Sequence, residues 1–132
     1  MVIDTSALVA ILQDEPERRR FNEAIEAAPL CHISAATLVE ISIVVEARHG
    51  AEGIRDLDLF IAAAGILPVP VDAEQALAAR EAFRRYGKGR HAAGLNFGDC
   101  FSYALARVRD EPLLFKGLDF PQTDVLVAEP LH

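Results

Sequence analysis

Near its start the chain reads VIDTSALVAIL, residues 2–12. The β-branched pair Val2 and Ile3 is typical of a short buried strand, and the apolar residues that follow recur at helical spacing. Asp4 stands at the junction, where its carboxylate can accept hydrogen bonds from the free backbone amides of a helix. The stretch therefore predicts a strand that passes directly into a helix from about Ser6 to Leu12, with an acid between them.

The rest of the chain repeats this alternation of short apolar runs and amphipathic helices. Further helices are predicted over about 16–28, 34–48, 52–64, 73–86 and 98–109, and further strands over 30–33, 66–71, 113–115 and 125–127. Two prolines in 66–71 place that strand at an edge of the sheet. The pattern predicts an α/β fold, a single domain of residues 1–132 in which helices flank both faces of a central parallel β-sheet as an α/β/α sandwich.

Capping residues mark several of the helix ends. Ser34, Asp72 and Asn96 precede helical periods and are predicted N-caps. Gly65 follows the helix of 52–64 and is predicted to end it in the left-handed conformation.

Composition limits the class of protein. The chain has 132 residues, of which 52% are hydrophobic and 25% charged, enough apolar material for one domain with a core. No apolar run approaches the length of a membrane-spanning helix and no basic segment precedes an apolar one at the start, so we expect a cytoplasmic protein without a membrane partner.

Cys31 and Cys100 have no metal-ligand spacing and are expected to be free, buried thiols. The formal net charge of −7 by itself argues against a nucleic-acid partner.

Four acidic residues stand out by their positions: Asp4, Glu40, Asp99 and Asp119. Asp4 and Asp119 follow predicted strands, at the sheet edge where ligands bind in parallel α/β folds. Glu40 is the only charge in LVEISIVV, residues 38–45, and we expect it to point from an apolar helix face. Asp99 is predicted as the third residue of a helix, at the end where an acid is favourable.

Each acid also has a purely structural interpretation. Asp4 and Asp99 can be capping residues, Asp119 can belong to an ordinary turn, and Glu40 can lie at the solvated margin of its helix. Taken together, three aspartates and one glutamate form the type of oxygen ligand set that Mg²⁺ or Mn²⁺ prefers. Zinc is not indicated, because the four histidines show no ligand spacing.

These motifs, in their order along the chain, resemble those of the PIN domain. The motifs are DTSAL at residues 4–8, the isolated Glu40, NFGD at 96–99 and GLDF at 117–120. Within that family the chain is similar to the ribonuclease toxins of VapBC toxin–antitoxin systems. Many relatives carry Asn before the last aspartate, where this chain has Leu118.

The resemblance implies an endoribonuclease that depends on Mg²⁺ or Mn²⁺, with Asp4, Glu40, Asp99 and Asp119 as catalytic residues. Asp4 and Asp99 would be direct metal ligands, and the cation would polarise the phosphate and activate water. Ser6 and Ser102 would orient ligands or water, although ordinary helix hydroxyls are the alternative. It also implies a homodimer, and a cognate VapB-like antitoxin whose tail lies across the active site.

A basic segment at residues 80–91 is the expected contact surface for an RNA substrate. It holds five basic residues against Glu81, a local charge of +4. The candidate RNA contacts are Arg84, Arg85, Lys88 and Arg90. The alternative is a solvated helix end whose charges complement the helix dipole.

Two other classes of function remain open at this point. One is a non-catalytic PIN-like module that only binds a protein partner, with the acids in structural roles. The other is a phosphoryl-transfer enzyme that uses Asp4 as nucleophile, although Ser6 stands where such an enzyme would carry a second Asp.

Overall fold

The computed structural model describes residues 1–128. Residues 129–132, with which the predicted domain ends, lie outside the described part. The elements, in chain order, are β1 (Val2–Ile3), α1 (Thr5–Leu12), α2 (Arg18–Ala27), β2 (Cys31–Ser34), α3 (Ala35–Ala64), β3 (Ile66–Val69), α4 (Ala73–Tyr86), α5 (Phe97–Arg109), β4 (Leu113–Leu114) and a 3₁₀ turn (Phe120–Gln122).

The strands form one parallel sheet in the order β3-β2-β1-β4. Val2 of β1 pairs with His32 on one side and Leu113 on the other. The proline-containing strand β3 lies at the edge, as its sequence predicts. All four carboxyl ends therefore meet at one edge of the sheet, and this edge carries the site described below.

Helices cover both faces of the sheet, which confirms the predicted three-layer sandwich. Val2 and Leu113 face a core formed with α4 and α5, whereas Ile3 and Leu114 face a second core formed with α1, α2 and α3. The alternation arises because successive strand side chains point to opposite faces.

The predicted caps agree with the structure. The side chains of Ser34, Asp72 and Asn96 each accept a hydrogen bond from a backbone amide in the first turn of their helices. Gly65 ends α3 with a φ of 67°.

The two helices predicted over 34–48 and 52–64 are both formed within α3 and meet at a kink at Gly50, where φ is 62° and ψ is −148°. One predicted element differs from the structure. The strand predicted over 125–127 is not formed; only Val127 pairs with Leu113, in an isolated bridge. Such a short apolar run has too few pairing partners at the sheet edge to form a ladder.

Two expectations from composition can also be compared with the structure. Within residues 1–128, no helix is both long and apolar enough to cross a membrane. Cys31 and Cys100 are free and buried, as predicted. Burial raises the pKa of both thiols, that of Cys100 to about 11, so neither is reactive near neutral pH.

Candidate functional site

Asp4 lies at the centre of the site, between β1 and α1. Its backbone amide donates to the carbonyl of Leu114 at 3.0 Å, which ties it to the end of β4. Its side chain caps α1 and is only 2% exposed. The carboxylate is therefore held in place at the carboxyl ends of the neighbouring strands β1 and β4.

Three hydrogen bonds fix the orientation of the Asp4 carboxylate. Oδ2 accepts from the backbone amide of Ser6 at 3.0 Å and from the Ser6 hydroxyl at 2.7 Å. Oδ1 accepts from the hydroxyl of Ser102 at 2.6 Å, and Ser102 in turn contacts the Thr37 hydroxyl at 3.1 Å. The two serines singled out from the sequence thus both contact Asp4 directly, from α1 and from α5.

Glu40 reaches the site from α3. Its Oε1 accepts a hydrogen bond from the hydroxyl of Thr5 at 2.5 Å. It does not point from an apolar stripe as expected, because the buried face of α3 is formed by Thr37, Ile41 and Val45, and Ile43 is 65% exposed. Glu40 instead lies at the margin of that face, where its carboxylate reaches the start of α1.

Asp99 performs its predicted capping role and still faces the other acids. One of its oxygens accepts from the amide of Asn96 at 2.9 Å, and Asn96 accepts from the amide of Asp99 at the same distance, a complete capping box. Burial, together with the charges of Asp4, Glu40 and Asp119, raises the pKa of Asp99 to about 6 against the lowering effect of the Asn96 amide. The structural and functional interpretations of Asp99 are therefore compatible.

Asp119 is exposed and begins the 3₁₀ turn of Phe120–Gln122 without capping it through its side chain. Its charge nevertheless contributes to the raised pKa of Asp99, as do the charges of Asp4 and Glu40. The three other acids predicted from the sequence therefore lie within electrostatic reach of Asp99.

Several further residues that the sequence did not single out also shape the site. Thr5 and Thr37 supply the hydroxyls described above, and the backbone amide of Lys116 donates to the Ser6 hydroxyl at 2.9 Å. Gly98 lies against Glu40: a Cβ at this position would stand 1.9 Å from Glu40 Oε2. The hydroxyls of Thr5 and Ser6 could have been expected at the site, because these residues follow Asp4 in the sequence. The other contacts join residues that are far apart in the chain.

The donor set fits a hard divalent cation in its chemistry. Burial raises the pKa of Asp99 most and the charges of the other acids add to it, and a bound cation would relieve that repulsion. A carboxylate offers about four lone-pair directions, and three of those of Asp4 are taken by its hydrogen bonds. Within residues 1–128, no three His, Cys, Asp or Glu side chains stand as a ready-made ligand cage. A cation such as Mg²⁺, which is usually held by one or two carboxylates, would keep several waters there.

The four basic residues predicted to contact RNA fall into two pairs. The first pair, Arg84 and Arg85, already has acidic partners within the chain. Arg84 forms a fork with Glu81, with N–O distances of 2.9 and 2.5 Å. Arg85 lies 4.8 Å above the ring of Tyr86 and 3.7 Å from Asp124.

Lys88 and Arg90 follow in the exposed loop after α4. The guanidinium of Arg90 lies 5.7 Å above the ring of Phe83. Neither residue forms an ion pair with the described part of the chain, so these two are the more available for an anionic ligand.

Comparisons with known proteins agree with this geometry. The sequence profile of the PIN domain family matches residues 1–126. The chain is 57% identical over 125 residues to a Mycobacterium tuberculosis protein named ribonuclease VapC30, with 95% of each chain covered. Its fold is similar to that of Mycobacterium tuberculosis VapC20, with a TM-score of 0.78 at 17% identity over 98% of each chain. It is also similar to a chain of a toxin–antitoxin complex from Klebsiella pneumoniae, with a TM-score of 0.69 at 20% identity over 98% of each chain. The chain therefore belongs to the PIN domain family and, within it, to the VapC ribonucleases.

Proposed function

We propose that this protein hydrolyses RNA phosphodiester bonds as an endoribonuclease dependent on Mg²⁺ or Mn²⁺, and that it is the toxin of a type II toxin–antitoxin system. The observation that supports this most is the buried Asp4 carboxylate, fixed by three hydrogen bonds and facing a partly buried Asp99 whose pKa its charge helps to raise. An acid with only a structural role gains no stability from neighbouring acids, because their charges repel it.

In this proposal each acid has a distinct task. Asp4 and Asp99 are the direct ligands in this proposal, since Asp4 is buried and fixed where β1 ends and Asp99 feels the charges of the other three acids. Glu40 holds a ligand or a water, with Thr5 fixing its orientation, and Asp119 completes the site from the exposed side. Ser6 and Ser102 keep the Asp4 carboxylate in one orientation. The cation, when bound, supplies positive charge to the phosphate and lowers the pKa of a bound water.

The test of the proposed function is cleavage of RNA by the purified protein with Mg²⁺, with Mn²⁺ and with excess EDTA. We expect cleavage with either cation and none in EDTA. Equal cleavage in all three conditions would contradict metal dependence, and no cleavage under any condition would favour the alternative of a non-catalytic binding module. Calorimetry with each cation separates the two further, because a binding module with structural acids takes up no metal.

The alternative in which Asp4 is a nucleophile finds less support in the geometry. Both of its oxygens accept hydrogen bonds, from Ser6 and from Ser102. Its position is fixed by these bonds, and Ser6 stands where an enzyme with an aspartate nucleophile would carry a second Asp. Failure to trap an acid-labile phosphoaspartate is the expected result.

Replacing Gly98 by alanine is expected to lower the cleavage rate at least about 10-fold without destabilising the protein. The new methyl would collide with the Glu40 carboxylate, the flexible end of a side chain, so Glu40 moves away from Thr5 while the backbone stays in place. Alanine is also favoured over glycine in a helix by roughly 0.5–1 kcal/mol. The measurements are the cleavage rate and the melting temperature.

The same effect can be traced to Glu40 with a double variant. If Gly98→Ala acts through Glu40, it should add little to Glu40→Ala. Independent, additive losses in the double variant would show that the methyl acts on another part of the site.

Removing the side chains of Lys88 and Arg90 is expected to weaken RNA binding and to reduce the salt dependence of the binding constant, by about one unit of slope for each phosphate that is no longer neutralised. Arg84→Ala is the matched control, because Glu81 already neutralises that guanidinium. Binding to a labelled RNA is measured at several salt concentrations. An equal loss from Arg84→Ala and from the Lys88/Arg90 pair would show that the predicted surface is not centred on the loop.

We also propose that the protein forms a homodimer, binds a VapB-like antitoxin and acts in the cytoplasm. Val39 and Ile43 support a protein contact, since these apolar side chains of α3 are 58% and 65% exposed beside Glu40. The acids of the site would attract a basic side chain from the antitoxin tail. Light scattering tests the dimer, and inhibition of cleavage by the co-purified partner tests the antitoxin.

A further inference from the structure

An apolar pocket of about 430 Å³ opens between α4 and α5, beside the site described above. The rings of Phe83, Phe97 and Phe101 line it, with Cys100 beside them and Arg80 among the lining residues. Phe97 is 79% exposed, and its ring meets that of Phe101 edge-on at 4.9 Å between centroids. A large aromatic side chain in so open a position contributes little to the core, so its position needs another explanation.

The first turn of α5 carries residues of both the pocket and the site of the four acids. Phe97 presents its ring to the pocket, whereas Gly98 lies against Glu40 and Asp99 faces the other acids. Three consecutive residues of one helix turn thus join an aromatic surface to the acids. A strand whose phosphate lies at the acids would therefore run past the turn that carries Phe97.

Positive charge also lies beside the pocket. Arg80 lines it, and the guanidinium of Arg90 stands 5.7 Å above the ring of Phe83. An RNA strand combines flat base faces, which stack on aromatic rings, with phosphates that pair with guanidinium groups. Aromatic rings with arginine beside them therefore match a nucleotide better than a purely apolar partner.

We propose that this pocket holds one unpaired base of the RNA strand, stacked on Phe97, next to the phosphodiester bond that is cleaved. Phe97 is then a positioning residue that selects single-stranded substrate, because a paired base cannot enter. The inference rests on the proposed ribonuclease function for its substrate, but base binding can be measured without cleavage.

The experiment compares the full-length protein with Phe97→Leu and Phe97→Trp. Leucine keeps an apolar side chain but has no ring face, whereas tryptophan keeps the stacking surface. Binding of a labelled single-stranded RNA is measured in EDTA, where no turnover is expected, and KM and kcat are measured with Mg²⁺ or Mn²⁺. Leu59→Ala, which changes a 63% exposed side chain of α3, is the matched control.

We expect Phe97→Leu to raise both the dissociation constant and KM by about 5- to 150-fold, the range expected when one base no longer stacks. Phe97→Trp and Leu59→Ala should stay near the parent value. A scan of the RNA with single abasic residues should find one position that weakens binding to the parent protein but not to Phe97→Leu.

Two results would overturn the proposal. One is equal binding by the parent protein and Phe97→Leu, with no abasic position that separates them. The other is a change of oligomeric mass in Phe97→Leu, which would show that a second copy of the chain covers the pocket. Failure of the proposed function looks different, because the parent protein itself would then cleave no RNA.

Discussion

Replacing Asp99 by asparagine is expected to abolish RNA cleavage and, at the same time, to make the metal-free protein more stable at pH 7. Cleavage is lost because the amide removes one of the two proposed direct ligand charges. Stability rises because a partly buried carboxylate no longer faces the charges of Asp4, Glu40 and Asp119. The capping box survives, since the amide oxygen of asparagine can accept from the Asn96 amide in place of the carboxylate.

The direction of the stability change and the pH range in which it occurs follow from the raised pKa of Asp99. The carboxyl of Asp99 titrates at about 6 in the folded protein, against the ordinary value of 3.8. The folded state therefore binds this proton more tightly, so the contribution of Asp99 to stability is greatest below pH 3.8 and is lost as the pH rises through 6. This difference in pKa corresponds to about 1–3 kcal/mol in the free energy of unfolding after allowance for partial exposure, or a few degrees of melting temperature.

The measurement is the melting temperature of the parent protein and of Asp99→Asn in EDTA, at several values between pH 4 and pH 8. The curves should converge near pH 4, separate as the pH rises through 6, and stay apart by a constant difference at pH 7 and 8. Asp110→Asn is the matched control, since Asp110 lies at the other end of α5 with a φ of 54° that asparagine also tolerates. A lower melting temperature for Asp99→Asn at pH 7 would contradict the argument, as would retained cleavage.

Much of the site could be predicted because its main determinants are local in the sequence. The run of Val2, Ile3 and Asp4 places a carboxylate at the end of a buried strand, and the spacing of Asn96 and Asp99 specifies a capping box at a helix start. Parallel strands then bring these positions to the same edge of the sheet. The basic loop was also evident, although the net charge of −7 argued against nucleic acid.

The contacts that complete the site could not be predicted, because they join distant parts of the chain. The hydroxyl of Thr37 reaches Ser102, and Glu40 lies against Gly98, only after α3 and α5 have packed. The expected apolar surround of Glu40 was wrong for the same kind of reason: helical periodicity does not say which of two apolar faces turns to the core, and Ile43 lies on the exposed one. The pairing of Arg84 with Glu81 does have a local signal, the spacing of three residues on a helix.

Replacing Asp4 by asparagine is also expected to abolish cleavage, but with the opposite effect on stability. Loss of a direct ligand charge removes several kcal/mol of transition-state stabilisation, a fall in rate of about 1000-fold or more. Asparagine is as good an N-cap as aspartate, so α1 should still form. The effect on the melting temperature depends on the hydrogen bonds that the Asp4 carboxylate accepts from the hydroxyls of Ser6 and Ser102.

Asp4 differs from Asp99 because hydroxyl and amide groups, all donating to it, surround its carboxylate. An amide of the same shape has one accepting and one donating end and no charge, so Ser6 and Ser102 both lose a charged acceptor and one of them has to turn from donor to acceptor, within a site that is 2% exposed at Asp4. Hydrogen bonds to a charged group contribute about 1.5–3 kcal/mol, against about 0.5–1.5 kcal/mol for neutral ones. We therefore expect Asp4→Asn to melt below the parent protein in EDTA at pH 7, and Asp99→Asn to melt above it, although both are inactive. A shift of both melting temperatures in the same direction would contradict this argument. The two substitutions are expected to differ only because hydrogen bonds hold the Asp4 carboxylate, whereas other acids repel the Asp99 carboxylate.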